Sequence, residues 1–181
     1  MENRVLVSTR KGLFEFHRTN RTLVQTAHHF FGDNCCNSFS DPRDGCVYAM
    51  LDHGHFGVKV HRSDDAGLTW TEIHEAGPST FGFAVAVHPN KPDTAWFVPA
   101  KNDELRIPVE GEFVVTRTDD SGESFSVCDE GLPRPAWDLV LRHCLDVDDD
   151  GECLVMGSST GGLYDSTDGG NSWSCVSAHL P

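Results

Sequence analysis

The chain has 181 residues, 38% of them hydrophobic, which is enough for a packed globular core. Its formal net charge of −14 argues against nucleic acid or an anionic membrane surface as a partner. No apolar run reaches the roughly 18 residues of a membrane-spanning helix, and Met1-Glu2-Asn3-Arg4 leads into a strand-like segment with no export core. The seven cysteines, with no CxxC among them, predict reduced thiols in a cytoplasmic protein. Cys128, Cys144, Cys153 and Cys175 fall in strand-like stretches and are expected as small core residues.

In chain order, strands are predicted at 5–8, 13–17 and 23–29. They continue at 36–41, 46–51, 58–63 and 69–74, then at 81–87, 94–98, 112–118 and 124–128, and finally at 139–147, 152–157, 163–166 and 172–177. Two show period-two alternation most clearly: Phe81, Phe83, Val85 and Val87 against Gly82, Ala84 and Ala86, and Leu139 through Val147. No segment carries a sustained helical period. The acidic run Asp146-Val147-Asp148-Asp149-Asp150-Gly151-Glu152 lies between two strands and predicts a solvated turn, with a calcium loop as the alternative reading.

One pattern occurs three times, at roughly 45 to 55 residue intervals, the mark of a repeat architecture. Ser63, Asp65, Gly67 and Trp70 form the first copy, Thr118, Asp120, Gly122 and Phe125 the second, and Ser166, Asp168, Gly170 and Trp173 the third. The hydroxyl and carboxylate can capture backbone N–H groups of their own tight loop. The glycine supplies a left-handed position, and the aromatic re-enters a strand and buries a large surface. Thr19-Asn20-Arg21-Thr22-Leu23 is a worn fourth copy without its Asp and Gly. Strands in groups of four, each group with one such loop, are the sequence mark of propeller blades.

On these residues the chain resembles the Asp-box (BNR-repeat) β-propellers, the sialidase-like group within the WD40, YVTN and BNR-like repeat proteins. The expected fold is all-β: a propeller of four-stranded antiparallel blades, about four of them, the first incomplete. A single domain over residues 1–181 is expected, with blades near 1–30 (partial), 36–75, 80–129 and 137–178. The resemblance covers the chain as two pieces joined near 74–77, with middle blades of longer relatives missing. An internally shortened chain, a small four-bladed form and half of a homo-oligomeric ring all fit this pattern. A strand added after Pro181 is expected to complete the first blade.

The resemblance places the Asp boxes on the face opposite the active site and makes them structural. The loops of the functional face are then 9–12, 52–57, 99–111 and 158–162, with the connections 31–37, 75–80 and 129–138. Arg106-Ile107-Pro108 is similar to the R-I-P motif of sialidases, whose arginine grips a substrate carboxylate. Arg10, Arg106 and Arg134 would have to converge for such a triad. Sialidases use a tyrosine nucleophile, and here only Tyr48 and Tyr164 exist, both within strands. A two-carboxylate alternative sets Asp103 or Glu104 as general acid against Asp52 or Asp138. His53 and His55 share one loop and suit a transition metal, as do His28, His29, Asp33, Cys35 and Cys36, but no strong ligand spacing occurs. Trp137 and Phe56 are candidates for stacking on a sugar ring, with a place in the core as the commoner role of such aromatics.

The leading expectation is a binding or scaffold propeller, with no proven catalysis, that takes a glycan, a small molecule or a protein partner on this face. Ligand contacts fall to Arg10, Asp52, His53, His55, Arg106 and Asp138. Neither cofactor nor metal is expected. A sialidase-like glycoside hydrolase acting on a glycan or acidic sugar, with Asp103 and Glu104 catalytic, is the second reading, and a metal-binding propeller the third.

Overall fold

A computed structural model describes residues 3–54, 58–73 and 76–181. His55, Phe56 and the end of the strand predicted at 69–74 lie outside them. No α-helix occurs among the described residues. The chain forms four antiparallel sheets whose strands follow chain order. The first holds β1 (Arg4–Thr9), β2 (Gly12–Thr19) and β3 (Thr22–His29), and the second β4 (Cys35–Ser40), β5 (Val47–Asp52), β6 (Val58–Ser63) and β7 (Thr71–Ile73). The third comprises β8 (Gly82–Val87), β9 (Ala95–Pro99), β10 (Val115–Thr118) and β11 (Ser126–Cys128), and the fourth β12 (Leu145–Val147), β13 (Leu154–Gly157), β14 (Leu163–Ser166) and β15 (Ser174–Ser177). These are the blades of an all-β propeller fold, the first with three strands. They divide between two compact units, Met1–His74 and Glu75–Pro181. The division falls at the stretch where the sequence reads as two joined pieces.

Each unit has its own core. In the first, Leu13, Cys35, Ala49 and Leu51 are buried, with Leu6, Phe30 and Trp70 packed against them. In the second, Trp96, Phe113, Leu154, Met156 and Trp173 dominate a larger cluster. The alternation in β8 is real, but its small residues face inward: Ala84 and Ala86 are buried, whereas Val85 and Val87 are 54% and 45% exposed. The bulk of Trp96 and Phe113 fills that core, so alanine is the complementary size on β8.

The three repeat loops share one hydrogen-bond scheme. Asp65 accepts the Ser63 hydroxyl (2.8 Å) and the Thr69 backbone N–H (2.8 Å) on one oxygen and the Thr69 hydroxyl (2.6 Å) on the other. Asp120 does the same with Thr118 and Ser124, and Asp168 with Ser166 and Ser172. The first hydroxyl of each loop accepts the glycine N–H, of Gly67, Gly122 or Gly170. Two consecutive residues in each loop are left-handed: Ala66 and Gly67, Ser121 and Gly122, Gly169 and Gly170. The sequence pattern marked only the second of each pair. Burial of the closing aromatic is graded: Trp173 is buried, while Trp70 and Phe125 are half-buried.

The loops also join neighbouring sheets. Arg4 of β1 donates to the Ala66 carbonyl at 2.7 Å. At the equivalent carbonyl of Gly169, Trp96 Nε1 (2.8 Å) and Arg117 Nη1 (3.1 Å) donate. Arg4 is anchored by Glu15 at 2.7 Å, both side chains nearly buried. Burial alone would push the Glu15 carboxyl up, but Arg4 and His17 outweigh it and hold it low. A second tie runs between Trp173 N–H and the Glu130 carbonyl (2.8 Å). It needs glycine at 131, where a Cβ would lie 1.9 Å from the Trp173 carbonyl oxygen.

Other expectations shift. Residues 139–144 do not extend β12: His143 takes a left-handed conformation and the Cys144 N–H turns back to the Leu141 carbonyl. Residues 19–22 form a two-residue hairpin with Asn20 and Arg21 both left-handed, the primed turn that matches strand twist, in place of an Asp-box loop. Among the cysteines expected in the core, Cys128 is buried, but Cys144, Cys153 and Cys175 are exposed. The first two lie in turns and the third on the outer strand β15. Cys35 and Cys46 are the other buried thiols, and burial pushes Cys46 up to about 11. The acidic run is a turn whose Asp148 accepts the N–H groups of Gly151, Glu152 and Cys153, which holds its carboxyl low.

Two predictions follow from the core and the loops. Replacing fully buried Leu13 or Leu154 by Ala should cost about 2–5 kcal/mol in urea unfolding. The hydrogen bonds within the loops, led by those from Thr69 and Ser124, lower Asp65 and Asp120 to about 2. Their stabilisation is therefore complete above the ordinary carboxylate value near 4 and is lost as pH falls towards about 2. A D65N/D120N variant should have a lower urea midpoint at pH 7 and a shallower decline than the parent between about pH 4 and pH 2. Equal declines would mean that these carboxylates titrate normally.

Candidate functional site

Strand registers separate two ends in each unit. In the second unit, Gly82 pairs with Pro99 and Gly157 with Leu163 at one end, while Val87 pairs with Ala95 and Leu154 with Ser166 at the other. The repeat loops at 118–125 and 166–173 occupy the latter end. The loops 99–114 and 158–162 and the connection 129–144 occupy the former. In the first unit the turn 9–12 and residues 52–54 lie at the end away from Ser63.

In the second unit these loops form a continuous belt. Buried Pro108 roots the loop after β9, a short 3-10 turn at Val109–Gly111 follows, and the Gly111 carbonyl accepts the Ala136 N–H at 2.8 Å. Asp138 accepts the hydroxyls of Ser158 (2.6 Å) and Thr160 (2.5 Å), and the Leu139 carbonyl accepts the Ser159 N–H. Asp138 thus ties two loops together. Trp137 beside it is 63% exposed, not part of the core.

Three residues meet at the start of β8. The guanidinium carbons of Arg106 and Arg142 lie 5.2 Å and 5.5 Å from the centre of the Phe83 ring, within cation–π range. Phe81 packs edge-on to Phe83 at 5.1 Å. Arg106 also pairs with Asp103 at 2.6 Å and donates to the Asp103 carbonyl. Arg142 has no carboxylate partner among the described residues. Sequence reasoning named Arg106 and missed Phe83 and Arg142, because both sat in presumed strands. The nine-residue length of the strand assigned to 139–147 was the available signal that part of it is loop.

The remaining sequence candidates scatter. Glu104 is exposed beside Asp103. Arg134 pairs with Glu112 and Asp129. Arg10, Asp52 and His53 belong to the first unit, so the structure assembles no arginine triad within either unit. Asp52 accepts the Gly54 N–H at 2.8 Å and contacts Asn34. His53 Nε2 is buried without a hydrogen-bond partner among the described residues. His28 stacks on Phe14 at 3.9 Å and meets the Lys11 carbonyl. Burial lowers His29 and His61. No group of three or more His, Cys, Asp or Glu arranged to hold a metal occurs among the described residues. Burial raises both Tyr48 and Tyr164, the opposite of an activated nucleophile.

This geometry makes Asp138 an organiser of loops. Asp138→Ala should cost about 1–3 kcal/mol in thermal or urea unfolding through loss of its charged hydrogen bonds. Trp137→Ala should stay within about 0.5 kcal/mol of the parent, as for exposed side chains generally.

No family model and no curated protein matches the chain. Among solved structures it is similar to an ancestral GH74 enzyme, at 15% identity and a TM-score of 0.56 over 98% of this chain and 23% of that one. It also matches the GH74 xyloglucanase from Xanthomonas campestris (19% identity, TM-score 0.46, 97% of this chain and 25% of that one) and YCF48 bound to D1 peptide (12%, 0.48, 97% and 43%). The chain spans about a quarter of the GH74 structures' length. At these identities the likeness extends to the propeller fold alone.

Proposed function

We propose that the chain is an Asp-box propeller of the BNR-repeat kind that works as a binding module, with its ligand site at the loop end opposite the boxes. One contrast carries the reading. The box carboxylates are consumed by their own loops, whereas the opposite end presents an arginine–aromatic cluster at Phe83, Arg106 and Arg142. Rigid sheets with binding residues on their connecting loops are a common design. A glycan, a small molecule or a protein segment would meet that cluster first. In the first unit, Arg10, Asp52 and His53 are candidates for ligand contacts of that unit's own; Asp52 is engaged locally, and His55 lies outside the described residues.

The hydrolase reading draws support from the presence of Asp103, Glu104 and Asp138 in loops at one end of the second unit. Against it, Asp103 is held by Arg106 and Asp138 by two hydroxyls. A general acid must be within hydrogen-bond reach of the leaving-group oxygen, and these side chains are engaged by their own neighbours instead.

The test uses folded protein against fluorogenic aryl glycosides, sialosides included, and against an array of glycans and peptides. Saturable array binding that weakens in R106Q or R142Q, with no turnover, is expected. Turnover abolished by D103N or E104Q in folded protein would replace the binding module with a glycosidase.

A further inference from the structure

One sheet edge in the first unit lacks the devices that protect the others. The first and last strand of each sheet has one unpaired side. Of these strands, β7, β11 and β12 are three residues long and β15 four. Register shifts interrupt the pairing of β3, β4 and β8. Short length and bulges both hinder pairing with another chain. β1 has neither: its six residues pair with β2 in unbroken register, and no proline interrupts them.

β1 also takes a place that is paired on both sides in the other sheets. Its Arg4 donates to the Ala66 carbonyl as Trp96 of β9 donates to that of Gly169. β5, β9 and β13 hold this second position between two strands, whereas β1 pairs with β2 alone. The bond from the Arg18 N–H to the Asn3 carbonyl (2.6 Å) fixes the phase of the β1–β2 ladder. Asn3, Val5, Val7 and Thr9 turn their backbone groups to β2, and Arg4, Leu6 and Ser8 turn theirs to the open side. No backbone hydrogen bond meets those three among the described residues.

The edge belongs to a basic sheet in an acidic chain. Residues 3–29 hold Arg4, Arg10, Lys11, Arg18 and Arg21 against the carboxylate of Glu15, while the net charge of the chain is −14. Glu15 engages Arg4. The other four cations are exposed, with no carboxylate partner among the described residues. Arg10 and Lys11 stand in the turn at one end of β1, Arg18 and Arg21 beyond its other end. The third sheet shows what the vacant place accepts: β8, beside β9, buries Ala84 and Ala86 and exposes Val85 and Val87.

We propose that the open edge of β1 captures an extended acidic segment of a partner protein by strand addition. The guest runs antiparallel to β1, and its backbone meets the N–H and C=O groups of Arg4, Leu6 and Ser8. Small apolar residues lie on the side of Leu6, which packs against the core, and carboxylates at both ends of the guest meet the exposed cations. Neither Arg106 nor Arg142 takes part, so loss of the loop-end ligand would leave this edge intact.

The probe is a fluorescent peptide of the Gly82–Val87 sequence flanked by two aspartates on each side. It is titrated into the full chain by polarisation, and the complex is followed by amide hydrogen exchange. Binding should be saturable, and exchange at Leu6 and Ser8 should slow at least about tenfold while Val5 and Val7 change little. Of two peptides N-methylated at alternate residues in opposite phases, one should bind at least about tenfold weaker than the other. A lysine-flanked peptide should also bind at least about tenfold weaker. R18Q/R21N should weaken the aspartate peptide about three- to tenfold and reduce its salt dependence; position 21 is left-handed, which asparagine tolerates. Unchanged binding of both N-methylated peptides, or no slowing at Leu6 and Ser8, overturns strand addition. So does no binding at millimolar concentration. Slow exchange at Leu6 and Ser8 before peptide is added overturns it too: slowing that grows with protein concentration assigns the edge to a second copy, and slowing that does not assigns it to the chain itself.

Discussion

One carboxylate in each repeat loop governs the local architecture of that loop. Each of Asp65, Asp120 and Asp168 takes a hydroxyl two residues back and both an N–H and a hydroxyl four residues on. Closing that ring requires two successive left-handed residues. In the first and third repeat loops the carbonyl of the first of them accepts a bond from the preceding sheet. Arg4 reaches Ala66, and Trp96 and Arg117 reach Gly169. A turn that satisfies itself therefore also joins one sheet to the next, and the local and tertiary preferences agree.

This arrangement separates structure from chemistry. At the repeat-loop end, three carboxylates are committed to their own loops. The other end is built from longer connections, and the tertiary contacts decide which of their charges stay available. Asp103 meets Arg106, Asp138 meets Ser158 and Thr160, and Arg134 meets Asp129 and Glu112. Charges that look equivalent along the sequence thus divide into those that brace loops and those, like Arg142 over Phe83, that face outward.

Binary alternation identified β8 as a strand yet did not say which face is buried. Period two is symmetric between faces, and the answer depended on Trp96 and Phe113, whose bulk leaves room only for Ala84 and Ala86. The same limit applies to the cysteines: Cys128 on β11 and Cys175 on β15 both lie on the outermost strand of their sheets, yet Cys128 joins the core cluster and Cys175 is exposed. Residues 139–144 kept an extended-looking alternation although His143 breaks it, because nothing in the residue type announces a left-handed histidine.

By itself the sequence determined the sheets, their grouping and the three repeat loops, since turn chemistry and strand periodicity act over a few residues and leave their marks in order along the chain. The resemblance to Asp-box propellers implied that the loops at 99–111, 129–138 and 158–162 share one end, and the strand registers of the second unit put them there. The tertiary structure decided which side chains meet there. The approach of Arg106 and Arg142 to Phe83 spans three separate segments, and such contacts depend on how sheets pack, a long-range property that short-range pattern does not encode.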